Sequence, residues 1–147
     1  MAFERVIERI RQIKADITNN READALRIAF DLTALIKLRI QTSGKDASGS
    51  AFADYVPAYA KERKNSGYQV GYVDFTRTGR LFANIAPRVE NSNVFSATVV
   101  IEGSDQRSKD IVAGAARKRG NILQASESEI ELARSANRSR LEKYLNL

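Results

Sequence analysis

Apolar residues recur at the helical period at both ends of the chain and lose it in the middle, and this change of period restricts the fold most. Near the N-terminus, Phe3, Val6, Ile7, Ile10, Ile13 and Ile17 are spaced 3, 1, 3, 3 and 4. That spacing draws one narrow stripe on a helix, with Glu4, Arg5, Glu8, Arg9 and Arg11 outside it. Thr18, Asn19 and Asn20 then predict a break and an N-cap, because short polar side chains accept bonds from the free amides of a following helix. Residues 21–40 form a second expected helix, whose apolar residues (Ala23, Leu26, Ala29, Phe30, Ala34, Ile36, Leu38 and Ile40) cover more of its circumference. The second helix should cross the core. The first, with its narrow stripe, is suited to lying on a partner.

The middle reads differently. Residues 41–50 are rich in turn formers and lack periodicity, which predicts a long loop. Residues 57–64 predict a short helix, with Pro57 in its first turn and Gly67 beyond its end. The aromatic and β-branched run 68–75 is either a strand or an ordered extended loop. Residues 76–85 predict a cap and a short helix that stops before Pro87. Residues 88–90 and 96–102 make the best strand pair, turning at Asn91, Ser92 and Asn93. Helix returns at 108–119, ending at Gly120. Ser126 and Glu129 form a capping box that opens a last helix to Tyr144, with Ile130, Leu132, Ala133, Ala136, Leu141 and Leu145 as its apolar positions.

The expected class is therefore α+β: an N-terminal helical pair, a small antiparallel β-rich centre with a long loop, and C-terminal helices. At 147 residues it is expected to be a single domain, with a helical N-terminal segment (residues 1–41), a loop and β-rich centre (residues 42–104), and a helical C-terminal segment (residues 105–147).

Composition narrows the chemistry. Without Cys or His there is no disulfide, thiol nucleophile or imidazole acid–base pair, and zinc sites lose their usual ligands. The net charge of +6 divides as +2, +1 and +3 among the three segments, so none of them is a polybasic arm. Arg117-Lys118-Arg119 comes nearest. The N-terminus is charged from Glu4 onward and has no apolar leader core, and no apolar run reaches membrane-spanning length. The expectation is a soluble, intracellular protein without membrane contact.

Catalytic patterns are weak. Ser43-Gly44-Lys45-Asp46 suggests a phosphate loop, but Arg39 and Asp46 stand where a Walker A motif needs glycine and a hydroxyl residue. Asp46, Asp54, Asp74 and Glu102 offer carboxylates with no spacing that selects a pair, and no serine has a histidine to activate it. No enzymatic activity is expected. Tyr55, Tyr59, Tyr68, Tyr72, Phe75 and Phe82 interleave with Lys61, Arg63, Lys64, Arg77 and Arg80. This cluster reads first as the core of the β region with a cationic rim, next as a subunit contact, and otherwise as a surface for stacking single strands.

Gly49-Ser50-Ala51-Phe52, Tyr55, Pro57-Ala58-Tyr59-Ala60, the basic run 61–64 and Thr78-Gly79-Arg80-Leu81-Phe82-Ala83-Asn84-Ile85 together resemble the virion-morphogenesis and tail-completion proteins of tailed bacteriophages. The resemblance covers residues 45–125. Asn84 stands where many members carry serine, and their histidine-containing motif has no counterpart here. The resemblance implies a structural virion protein of the neck, without cofactor or catalysis. It implies a homo-oligomeric ring at the head–tail junction, contacting a portal or adaptor ring and tail proteins and letting genomic DNA pass. Tail completion, tail termination and a portal adaptor all remain open positions. Localisation would be the virion, with host cytoplasm during assembly.

Interface roles are expected for Ser43, Gly44, Lys45, Phe52, Tyr55 and Tyr59, and for Arg77, Arg80, Leu81 and Phe82 at the turn. Arg117, Lys118 and Arg119 are expected to face DNA or an acidic partner ring. The alternative function is a small basic nucleic-acid-binding protein, with the aromatic–basic middle as its surface.

Overall fold

The change of period along the chain translates into the order α1 (Ala2–Asn19), α2 (Arg21–Ser43), α3 (Pro57–Asn65), α4 (Arg80–Ala83), β1 (Ile85–Ser92), β2 (Ala97–Gly103), α5 (Gln106–Arg119) and α6 (Glu127–Leu145). These come from a computed structural model that describes residues 2–145 and the side chains of 3–143. The class is α+β, with one two-stranded antiparallel sheet among the described residues.

The expected break falls at Asn20, a turn residue between the two helices, but the expected N-cap does not form. The Asn20 amide donates to the Asp16 carbonyl at 3.0 Å and the Asp24 amide to the Asn20 carbonyl at 2.8 Å, so helical bonds end on Asn20 from both sides. Asn20 does not cap α2, because its φ of −98° and ψ of 4° keep it near the helix. Its side-chain amide instead donates to the Asp16 carbonyl at 2.9 Å. α1 and α2 thus follow one another directly, with Asn20 between them. Phe3, Val6, Ile10 and Ile17 of α1 remain 75%, 53%, 60% and 51% exposed. The first helix is an arm.

α2 is the central element. Ala29, Thr33, Ile36 and Ile40 make its buried stripe. Ile36 and Ile40 enter a core with Phe52, Val73, Leu81, Phe82, Ile85, Ala115, Ile122 and Leu123. α6 lies against α2 and is tied to it by Arg39–Glu129 at 2.8 Å and Arg140–Asp31 at 2.6 Å. The capping box forms as expected, with the Ser126 amide donating to Glu129 Oε2 at 2.7 Å and the Glu129 amide to Ser126 Oγ at 3.3 Å. Of the expected apolar positions, Ala133 is buried while Leu132 is exposed. The side chains of Tyr144 and Leu145 lie outside the described ones.

α2 runs three residues past the expected end because Gly44 caps it in the left-handed region at φ 61°, donating to the Ile40 carbonyl at 2.9 Å. A Cβ on Gly44 would lie 2.7 Å from Tyr72 Cβ, so glycine is required for space as well. The long loop is a closed turn. Asp46 Oδ1 accepts from the amides of Ser48 and Ser50, each at 2.9 Å, and Lys45 bridges to Ala51.

Residues 68–75 are extended loop and not a strand. β1 starts earlier than expected, pairing Ile85 with Gly103 and Pro87 with Ile101. Proline fits because each strand of a two-stranded sheet has one unpaired edge. The hairpin turns at 93–96 rather than 91–93. Asn93 Oδ1 accepts from the amides of Phe95 at 2.8 Å and Ser96 at 3.0 Å, which lets Asn91 and Ser92 stay in the ladder. α5 starts two residues before its expected start because Asp105 caps it, accepting from the Ser108 amide at 2.7 Å.

Candidate functional site

The segment after α2 folds back on itself around one guanidinium. Arg63, on the last turn of α3, is 2% exposed. Its Nη2 donates to Asp74 Oδ1 at 3.0 Å, Nη1 to the Thr76 carbonyl at 3.0 Å and Nε to the Gln69 carbonyl at 3.2 Å. The guanidinium carbon sits 4.5 Å from the Tyr55 ring centroid and 5.4 Å from that of Tyr68. A buried cation is tolerated when paired and hydrogen-bonded in this way. Arg63 was expected on the cationic rim; it is instead the centre of the small domain core.

Asp74 accepts further bonds from Tyr55 Oη and the Thr76 amide, both at 2.9 Å. Burial pushes its carboxyl up, but bonds from Gln69, Thr76 and Tyr55 and the charge of Arg63 outweigh that and hold it below the usual carboxylate range. Burial, and then donation to Asp74, push the Tyr55 phenol up to about 12. The Asp74 turn also holds Phe75 at φ 53°, a strained conformation for an aromatic residue. So held, Phe75 packs edge-on against Phe52, with ring centroids 5.3 Å apart.

This scaffold forms one wall of a groove of about 440 Å³, and α5 forms the other. Tyr55, Val56, Tyr59, Val73, Phe75, Leu81 and Ile111 supply the apolar floor. Arg77, Arg80, Arg107, Lys118 and Arg119 stand at the rim, and no Asp or Glu lines the groove. Arg77 pairs with Glu62, and Arg80 with Asp105 at 2.8 Å. Arg119 donates to the Ala53 carbonyl at 3.2 Å and stands 5.8 Å from the Phe75 ring centroid. Arg107 and Lys118 have no ion-pair partner among the described residues.

The sequence-derived site residues therefore divide. Tyr55, Tyr59, Arg77, Arg80, Leu81, Lys118 and Arg119 converge on this one groove. Phe52 and Phe82 are 5% exposed, so their area goes into the subunit's own core and not outward, contrary to the interface expectation, whereas Leu81, 4% exposed, packs in that core and also meets the groove floor. Gly44 is buried as the α2 cap, another departure from the expected contact role. Ser43 Oγ donates to the Arg39 carbonyl at 2.7 Å, and Lys45 is exposed on the turn beside it. Arg117 is exposed but does not line the groove. Arg63, Phe75, Arg107 and Ile111 were not among the expected site residues. Of these, Arg63 and Phe75 carried a signal, as members of the interleaved aromatic and basic cluster.

A second surface lies at the other end of the hairpin. Phe95 is 94% exposed at a tip kept ordered by Asn93. Arg21, at the start of α2, donates to the Asn93 carbonyl, which ties this tip to the root of the arm. β2 has seven residues, which places the tip roughly 20–25 Å from the groove end of the sheet.

Among the described residues no helix is long and apolar enough to cross a membrane. No protein-family model, curated protein or solved structure matches this chain.

Proposed function

We propose that this protein is a structural ring subunit of a tailed-phage neck, completing the junction between the portal or its adaptor and the tail. One observation carries the reading: a single subunit presents two different unfilled surfaces, an apolar arm and a cation-rimmed groove, at separate places on the fold. Different surfaces meet head to tail, and head-to-tail contacts close into rings when the rotation allows. The two segments that resemble neck proteins also converge: Tyr55 and Tyr59 from one, Arg80 and Leu81 from the other, line the same groove. The neighbours in this reading are a portal or adaptor ring and tail proteins, with DNA passing transiently.

The test is the virion. The protein should be present in purified particles at a ring multiplicity of about six or twelve copies, and missing from tail-less particles. Absence from virions sinks the reading. Arg80→Glu should block incorporation while leaving the fold intact, since Arg80 is exposed and its ion pair with Asp105 is a surface one.

A second reading is favoured by the joint presence of tyrosines and unpaired cations in the groove: a basic nucleic-acid-binding protein. It requires the isolated monomer to bind DNA with an affinity that falls roughly a thousandfold between about 50 and 200 mM salt.

A further inference from the structure

We infer that α1 pairs with α1 of a second copy of this chain, as a short antiparallel coiled coil. The contact is two-fold, separate from the head-to-tail contacts of the ring reading, and does not depend on that reading. It leaves the cation-rimmed groove open.

The stripe of α1 is a coiled-coil seam. Phe3, Val6, Ile10, Ile13 and Ile17 are spaced 3, 4, 3 and 4, the a and d positions of a heptad repeat. A stripe of a and d residues alone is the narrow one that closes against a single other helix. Within its own subunit the seam is uncovered, with Phe3, Val6, Ile10 and Ile17 each more than half exposed. An isolated helix of 18 residues is marginal in water, so a second helix laid along the seam stabilises the arm.

Charge beside the seam selects the direction and register of pairing. With Phe3 at a, Arg9 and Asp16 fall at g, and Ile7 and Lys14 at e. Arg9, Lys14 and Asp16 have no ion-pair partner among the described residues. In an antiparallel pair g faces g and e faces e. One register sets Val6 against Ile17 and Ile10 against Ile13, each twice by symmetry. The same register brings Arg9 beside Asp16 of the other copy and lays the Lys14 stem over Ile7. Phe3 then lies over the Asn20 turn of the other copy, at the end of the seam. Sliding by one heptad sets Arg9 against Arg9 in one direction. In the other it sets Asp16 against Asp16 and Lys14 against Lys14.

A parallel pair fits less well. It places g beside e of the next heptad, so Arg9 meets Lys14 on both sides. Its one favourable match, Asp16 with Arg21, competes with the bond that Arg21 donates to the Asn93 carbonyl. It also crowds both folded bodies at one end. The antiparallel pair sets the two Asn20 turns roughly 25 Å apart along the seam, at 1.5 Å per residue.

The chain contains no Cys, so introduced thiols report the contact without background. Full-length Val6→Cys and Ile17→Cys proteins are oxidised mildly, singly and mixed, and resolved by non-reducing electrophoresis. The expected product is the mixed disulfide alone. Val6 stands opposite Ile17 of the other copy and roughly 17 Å along the seam from the other Val6, too far for a bridge. With the seam intact, sedimentation equilibrium of the unaltered chain should show a monomer–dimer equilibrium. Arg9→Glu should weaken it about three- to tenfold, and adding Asp16→Arg should restore it. Four results overturn the inference. They are a monomer at all concentrations up to about 1 mM, a Val6→Cys disulfide with itself in place of the mixed one, no disulfide at all, and unchanged or tighter association of Arg9→Glu. The second and the tighter association mark a parallel pair or bundle. Presence in virions tests the neck reading alone, and neither outcome decides the other.

Discussion

A guanidinium withdrawn from water must find an anion and several acceptors, and Arg63 finds Asp74, two carbonyls and the faces of tyrosine rings. Arg63→Met keeps the volume but strands the Asp74 carboxylate, so unfolding free energy should fall by about 3–5 kcal/mol, read by urea titration. Adding Asp74→Asn should recover part of the loss; a cost below about 1 kcal/mol for Arg63→Met would remove Arg63 from this central role. The same cluster sets two pH limits. Asp74 binds its proton less readily in the folded chain, so its stabilisation is present above the unfolded value of about 3.9 and disappears as pH falls through the lower folded value. The Tyr55 phenol keeps its proton up to about 12, so the folded state holds more protons between about 10 and 12 and stability falls with rising pH across that window. Tyr55→Phe should abolish that component of the alkaline slope in thermal unfolding scans; an unchanged slope assigns it to other groups. At Gly44, Gly44→Ala forces a left-handed alanine against Tyr72 and should cost ~1–3 kcal/mol. The glycine was legible as a turn former. Nothing in the run 61–64 marks Arg63 as the buried member, because its partners arrive from residues 69–76, brought by the fold.

The elements followed from local pattern more faithfully than the residues did. The capping box, the hairpin and the helix ending at Gly120 depend on contacts a few residues apart, which sequence spacing states directly. The break at Asn20 followed too, but its cap did not, since polar residues permit a cap without enforcing one. The consequence is an arm on a rigid stem. Backbone amides of α1 should exchange with solvent orders of magnitude faster than those of α2 around Ile36 and Ile40, measured by hydrogen exchange on the monomer. Comparable protection in both helices would mean that α1 is covered. Ile10→Ser should alter monomer stability by less than about 0.5 kcal/mol, as expected for a surface position, while weakening association measured by sedimentation.

On the scale of the molecule, the positive charge matters through where it gathers. The net +6 is spread thinly along the chain, yet Arg77, Arg80, Arg107, Lys118 and Arg119 reach one groove. Association through that rim should weaken with salt, because its charges are exposed and screened, but by less than about tenfold in Kd between about 50 and 200 mM, since the apolar floor of the groove is insensitive. A thousandfold loss would instead match phosphate binding. The amino-acid order alone determined the class, the helical ends, the hairpin and the unpartnered stripe of α1, because each is written in the spacing of neighbouring residues. Only the tertiary structure decided which aromatics are core, which basic residue is buried and which cations share a groove. Those properties depend on segments far apart in the chain, Tyr55 with Asp74 and Thr78 with Lys118, and a local period carries no information about such meetings.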